Sequence, residues 1–225
     1  MPVILGLLSW ANSFRLEFPR PKVLAFITGT FVAFTALEVY LFFSFWKVPV
    51  ELSLGDLVFW GLLMFWSVGL KVRLPLNASV SQLFIFALTL LVLAPPWIAP
   101  LLVFFFQPKG NVWYKQLFNR SQDALATAVA AITWIFFQKN PLYLGALNLS
   151  TGIGVALAAL SFFVVNITLV GLIIYVATQT PLNEIWRKNF GWSALSYLLL
   201  SPLSLLLARA YETPSSTGLS PSYPR

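Results

Sequence analysis

Between Gly152 and Thr178 the chain runs for 27 residues without one charged side chain. At 1.5 Å per residue a helix of that length reaches about 40 Å, further than the roughly 30 Å of a bilayer's hydrocarbon core. The run is therefore too long for an untilted crossing, and is expected to tilt, kink or break near Asn166. The remaining sequence has the same character: 59% of the residues are apolar and 9% charged, against about 25% charged in soluble domains. Too few charges are present to cover a water-soluble globule of this size, so a soluble fold is excluded, and disorder is excluded everywhere except at the C-terminus.

Two absences narrow the chemistry. There is no cysteine, hence no disulfide and no thiolate, and no histidine, which removes the commonest general base and the commonest metal ligand. The net charge of +7 comes from 14 basic residues spread in ones, twos and threes between apolar runs. They form no groove-sized patch for nucleic acid and fit the topology signals of a membrane protein instead.

Met1–Asn12 is apolar but lacks a basic leader and a small-residue cleavage site, so residues 1–22 are expected to be an interfacial lead-in, not a signal peptide. Pro19 and Pro21 precede a first span, Val23–Phe45, and a second follows at Leu57–Leu70, extended at its ends by Leu54 and Val72. Ser81–Phe106 is interrupted by Pro95 and Pro96, which bar a straight helix. It is either one kinked crossing or a hairpin of two short arms with Pro95 and Pro96 as its hinge. With a cytoplasmic N-terminus the hairpin puts ten basic residues inside and four outside, whereas a single crossing gives eight and six, so charge favours the hairpin.

A polar loop is expected over Lys109–Asp123, a span over Ala124–Phe137 whose alanines permit close helix approach, an interfacial piece over Leu142–Leu149, and a last span over Trp192–Ala208. The Ser- and Pro-rich residues 211–225 are expected to be disordered. The predicted fold is thus an all-α polytopic integral membrane bundle over residues 23–210, with five spans plus the Pro-Pro-broken segment.

No phosphate-binding glycine loop, nucleophile elbow, metal-ligand spacing or carboxylate pair occurs, so no enzyme, metal or cofactor is expected. Three polar features stand inside or beside apolar sequence. Glu38 costs about 2.5–3.5 kcal/mol at membrane depth, and marks either a functional pathway or an interfacial ion pair. Asn166 must find partners in a dry medium, by a helix-to-helix hydrogen bond or by binding a ligand. Asn119 and Arg120 precede the alanine-rich span on the cytoplasmic face, where Arg120 either meets a phosphate or obeys the inside rule, and Asp123 is placed to cap the helix.

Several stretches in order, Lys71–Phe84 (KVRLPLNASVSQLF), Lys115–Trp134 (KQLFNRSQDALATAVAAITW), Phe163–Leu172 (FVVNITLVGL), Trp186–Phe190 and the run from Pro202, resemble the multi-span N-terminal region of bacterial HD-GYP phosphohydrolases. Related regions precede GGDEF cyclase domains. The resemblance covers about residues 54–211, and implies a sensor or anchor in the bacterial inner membrane that signals to a cytoplasmic enzyme acting on cyclic di-GMP. The HD pair, the GYP motif and the GGDEF motif are all missing, so none of the family's catalytic residues carries over; Asn119 and Asn166 alone lie in matching motifs. The resemblance also implies a further span after the Pro202 run, so a truncated longer protein is one expectation.

The leading expectation is a non-enzymatic membrane sensory or anchoring module that acts through the bilayer and a partner, either a cyclic di-GMP enzyme or another membrane subunit. The alternative is a small-molecule binding or transport subunit, like the substrate-binding membrane component of an energy-coupling-factor transporter, with a midplane site. A scaffold of a larger complex is the third. The sequence names no ligand.

Overall fold

A computed structural model describes residues 19–69, 71–73, 79–108, 112–140, 143–144, 147–148, 150–184 and 193–215. The lead-in before residue 19, the Trp186–Phe190 motif and the tail from residue 216 lie outside the described residues. Helix α1 (Pro21–Phe45) opens with proline at its first position, where a missing N–H is no loss. Helix α2 (Leu54–Ser67) opens on a reciprocal cap: Asp56 N–H donates to Ser53 Oγ at 3.2 Å and Ser53 N–H donates to Asp56 Oδ2 at 2.8 Å. A short antiparallel pair, β1 (Lys71–Arg73) and β2 (Ser79–Ser81), follows with Val72 opposite Val80. Then come α3 (Leu83–Leu93), α4 (Ile98–Phe105), α5 (Trp113–Lys139), a second small pair β3 (Tyr143–Leu144) and β4 (Leu147–Asn148), α6 (Ser150–Thr178) and α7 (Ser193–Ser215).

The architecture is an all-α polytopic membrane bundle. Three helices are long and apolar enough to cross a membrane: α1, α6 and residues 194–212 of α7; α2 and α3 are shorter apolar helices. Large apolar side chains face outward, among them Phe43 (70% exposed), Trp66 (75%) and Leu199 (69%). So much outward apolar surface is what a lipid solvent selects.

Helix α5 is as long as the others but carries Lys115, Arg120, Asp123 and Lys139. It can do so because it is the hub, packed against α1, α3, α4 and α6. Ala124, Ala126, Ala128, Ala130 and Ala131 are fully buried, which brings neighbouring backbones close. A Cβ added at Gly154 of α6 would lie 3.1 Å from Phe137 Cβ and 3.2 Å from the Trp134 ring, so glycine sets the α5–α6 separation.

Aromatic contacts fix the helix directions. Phe26 meets Phe118 at 6.1 Å, and at the other end Lys139 Nζ lies 5.6 Å over the Phe45 ring, so α1 and α5 run parallel. Trp97, at the start of α4, meets Phe42 edge-on at 5.3 Å while Phe104 near its end stacks on Phe34 at 5.1 Å, so α4 runs against α1. The last turn of α3 shares a cavity with Phe45 and with Trp134–Lys139, so α3 finishes where α1 and α5 finish. Helices α3 and α4 are thus a hairpin whose arms begin and end on one side of the bundle, with Pro95 and Pro96 buried at its apex.

Several boundaries differ from expectation. Residues 113–123, expected to be a polar loop, are the first three turns of α5, because Tyr114, Phe118 and Ser121–Gln122 recur at helical spacing and all turn inward. Asp123 is consequently the eleventh residue of that helix and cannot cap it. Helix α6 runs unbroken through Asn166, whose amide is engaged by a neighbouring helix and does not compete with its own backbone. Val72 belongs to β1 and does not extend α2. The interfacial piece contains β3 and β4, and α7 continues to Ser215, past the expected start of the tail.

Candidate functional site: a buried carboxylate junction

Where the hairpin's descending arm ends, three elements converge on one carboxylate. Asp123 Oδ2 accepts from Gln107 Nε2 at 2.6 Å, and Oδ1 accepts from Asn166 Nδ2 at 2.6 Å. Gln122 Nε2 adds a longer contact to Oδ1 at 3.4 Å. Gln107 follows α4, Asp123 and Gln122 belong to α5, and Asn166 belongs to α6, so a single side chain ties the hairpin to both long helices. Asp123 is half-buried on α5. Tyr197 of α7, packed among Phe84, Phe162 and Phe163, is within electrostatic reach of it.

No Lys or Arg forms an ion pair with Asp123 among the described residues. Arg120 stands one turn before it on α5, but its Nη2 donates to the Gln107 carbonyl at 2.8 Å and its buried Nε has no acceptor. The junction therefore holds its carboxylate by neutral amides, and holds Gln107 at both ends: its side chain by Asp123, its backbone by Arg120. Inside a low-dielectric bundle such hydrogen bonds are stronger than the same bonds in water. Rotation of either amide, or sliding of the hairpin by one residue, breaks the set.

Glu38 lies elsewhere. It is 7% exposed, and neither carboxylate oxygen has a hydrogen-bond partner. It sits on the face of α1 between Phe34 and Phe42, both of which pack on the hairpin, and the parallel register puts it level with the Ala130–Ala131 pair of α5. Asn119, one turn before Asp123 on α5, is exposed and makes none of the junction's hydrogen bonds. The structure thus brings Asn166 and Arg120 together, leaves Glu38 and Asn119 apart, and puts Pro95 and Pro96 at the opposite end of the hairpin. Gln107 is the member that sequence reasoning did not single out, and Asp123 was read as a helix cap; the signal against a cap was present in the helical spacing of Tyr114, Phe118 and Gln122, which carries the helix past Asp123.

The fold is a lipid-facing helical bundle with a polar tie at its core. Residues 16–218 match the family MASE9, and the chain belongs to that family of multi-spanning membrane sensory domains. No curated protein and no solved structure matches the chain.

Proposed function

We propose that this MASE9 chain is the input half of a cyclic di-GMP signalling system in the bacterial inner membrane, passing a signal to a cytoplasmic enzyme of the HD-GYP or GGDEF type. In this reading α1, α2, α5, α6 and α7 are five crossings, the α3–α4 hairpin enters and leaves from the cytoplasmic side, and the N-terminus is cytoplasmic. The supporting observation is the junction at Asp123. A sensor needs an element that can change its docking, and this hairpin is docked on two helices through one carboxylate and two amides, a small set of bonds for a signal to break. Family membership supports the sensory role, and the ordered motifs quoted above support the choice of partner.

The test is affinity purification of the full chain from its host's membranes in mild detergent, together with measurement of cellular cyclic di-GMP. Recovery of an HD-GYP or GGDEF protein, and a cyclic di-GMP level that changes on deletion of the chain and in Asp123→Leu, are expected. Absence of such a protein together with an unchanged nucleotide level would overturn the proposal. One observation favours the transport alternative, the partnerless Glu38 carboxylate, since a solute cation would supply what it lacks. That alternative demands that deletion abolish uptake of some solute, with Glu38→Gln reproducing the loss.

A further inference from the structure

At the hairpin apex, far from the Asp123 junction, is a cavity of about 330 Å³ whose chemistry is unusually mixed. Its walls include the last turn of α3 with Pro95 and Pro96, Phe45 at the end of α1, and Trp134 of α5. Glu51 and Lys139 both line it, one of each charge, and among the described residues they form no ion pair with one another or with any other group. Lys139 Nζ lies only over the Phe45 ring. Gln138 adds an amide.

The backbone adds a further demand. The carbonyls of Leu91 and Val92 would accept from the amides four residues on, but those residues are Pro95 and Pro96, which have no N–H. The C-terminal end of α3, already the negative pole of its dipole, thus presents two carbonyls deprived of their helical donors to the same cavity.

We propose that this cavity binds a small amphiphilic zwitterion, an α-amino acid with an apolar side chain. Its ammonium group donates to Glu51 and to the two proline-orphaned carbonyls, its carboxylate meets Lys139 and the Gln138 amide, and its side chain lies against Phe45, Leu93 and Trp134. A cavity at the lower end of the usual range of roughly 300–1,000 Å³ suits a ligand of that size. The inference deepens the sensory reading above and rests on it for its consequence: a ligand at the apex bears on the Pro95–Pro96 link, which joins α3 to the arm held at Asp123. On the proposed orientation the cavity opens to the outside.

The experiment is titration of the purified full chain in detergent with L-leucine, read by tryptophan fluorescence and by calorimetry, beside two half-ligands: isoamylamine, which lacks the carboxylate, and 4-methylpentanoate, which lacks the amine. Saturable binding of leucine, with each half-ligand weaker by about tenfold or more, is the expected result, one tenfold step being about 1.4 kcal/mol. Glu51→Gln and Lys139→Met are expected to weaken leucine by a similar factor while leaving the melting temperature of the unliganded chain unchanged. Absence of saturable leucine binding, equal binding of leucine and 4-methylpentanoate, or undiminished affinity in both variants would overturn the assignment. Because the readout is binding to the isolated chain, its failure leaves the partner experiment untouched, and a missing cyclic di-GMP partner leaves the binding result standing.

Discussion

Asp123 and Glu38 are two carboxylates inside one apolar bundle, and their surroundings predict opposite responses to removal. Asp123 has donors from Gln107 and Asn166 at 2.6 Å. Asp123→Leu strands both amides in a dry site, where an unsatisfied donor costs about 1–3 kcal/mol. That variant is expected to unfold in detergent at a clearly lower denaturant concentration than wild type, with Asp123→Asn intermediate because it keeps one accepting oxygen. Equal stability of all three would mean that the junction holds nothing together. Glu38 offers neither oxygen a partner, so its polar carboxyl group is desolvated without return, and removing it relieves that cost. Glu38→Met is expected to match or exceed wild type in a thermal melt; a fall in melting temperature would reveal a partner that the fold as described lacks.

At the scale of elements, α5 and α6 are held at short range by what is missing from their side chains. A Cβ at position 154 already approaches Phe137 and Trp134 more closely than ordinary contact, and a branched side chain needs still more room. Gly154→Val is therefore expected to cost about 1–3 kcal/mol through overpacking, measured by chemical denaturation, whereas Gly152→Ala, where nothing lies within 4 Å, is expected to leave stability unchanged. Helix α2 depends on a local device. Ser53→Ala removes the acceptor that Asp56 N–H uses and is expected to lower stability by about 1 kcal/mol, detectable as an earlier loss of α2 protection in hydrogen exchange. If both substitutions prove silent, neither close approach nor capping sets these helices.

For the whole molecule, the hairpin decides which loops share a face. The chain has no cysteine, so single substitutions give clean labelling with a membrane-impermeant maleimide. Lys47→Cys and Asn140→Cys are expected to label from one side of sealed vesicles and Pro108→Cys from the other. A single kinked crossing through Ser81–Phe106 would instead group position 108 with position 47. The parallel run of α1 and α5 requires the first pattern, because an odd number of passes must separate two parallel helices.

The membrane class, the long apolar run that becomes α6 and the break at Pro95 and Pro96 were legible in the amino-acid sequence, since hydropathy over a helix length and the missing N–H of proline are local properties. Basic-residue counting leaned toward the hairpin but could not establish it. What only the tertiary structure decided is which polar groups meet. Asp123 looked like a helix cap because the residues before it are polar, but in a membrane bundle polarity does not mark a loop when the residues are turned toward other protein. Whether a carboxylate 43 residues away from an asparagine becomes its partner depends on how α5 and α6 are rotated about their axes. That rotation is set by alanines, by Gly154 and by the docking of the hairpin, contacts between distant segments that no local pattern contains.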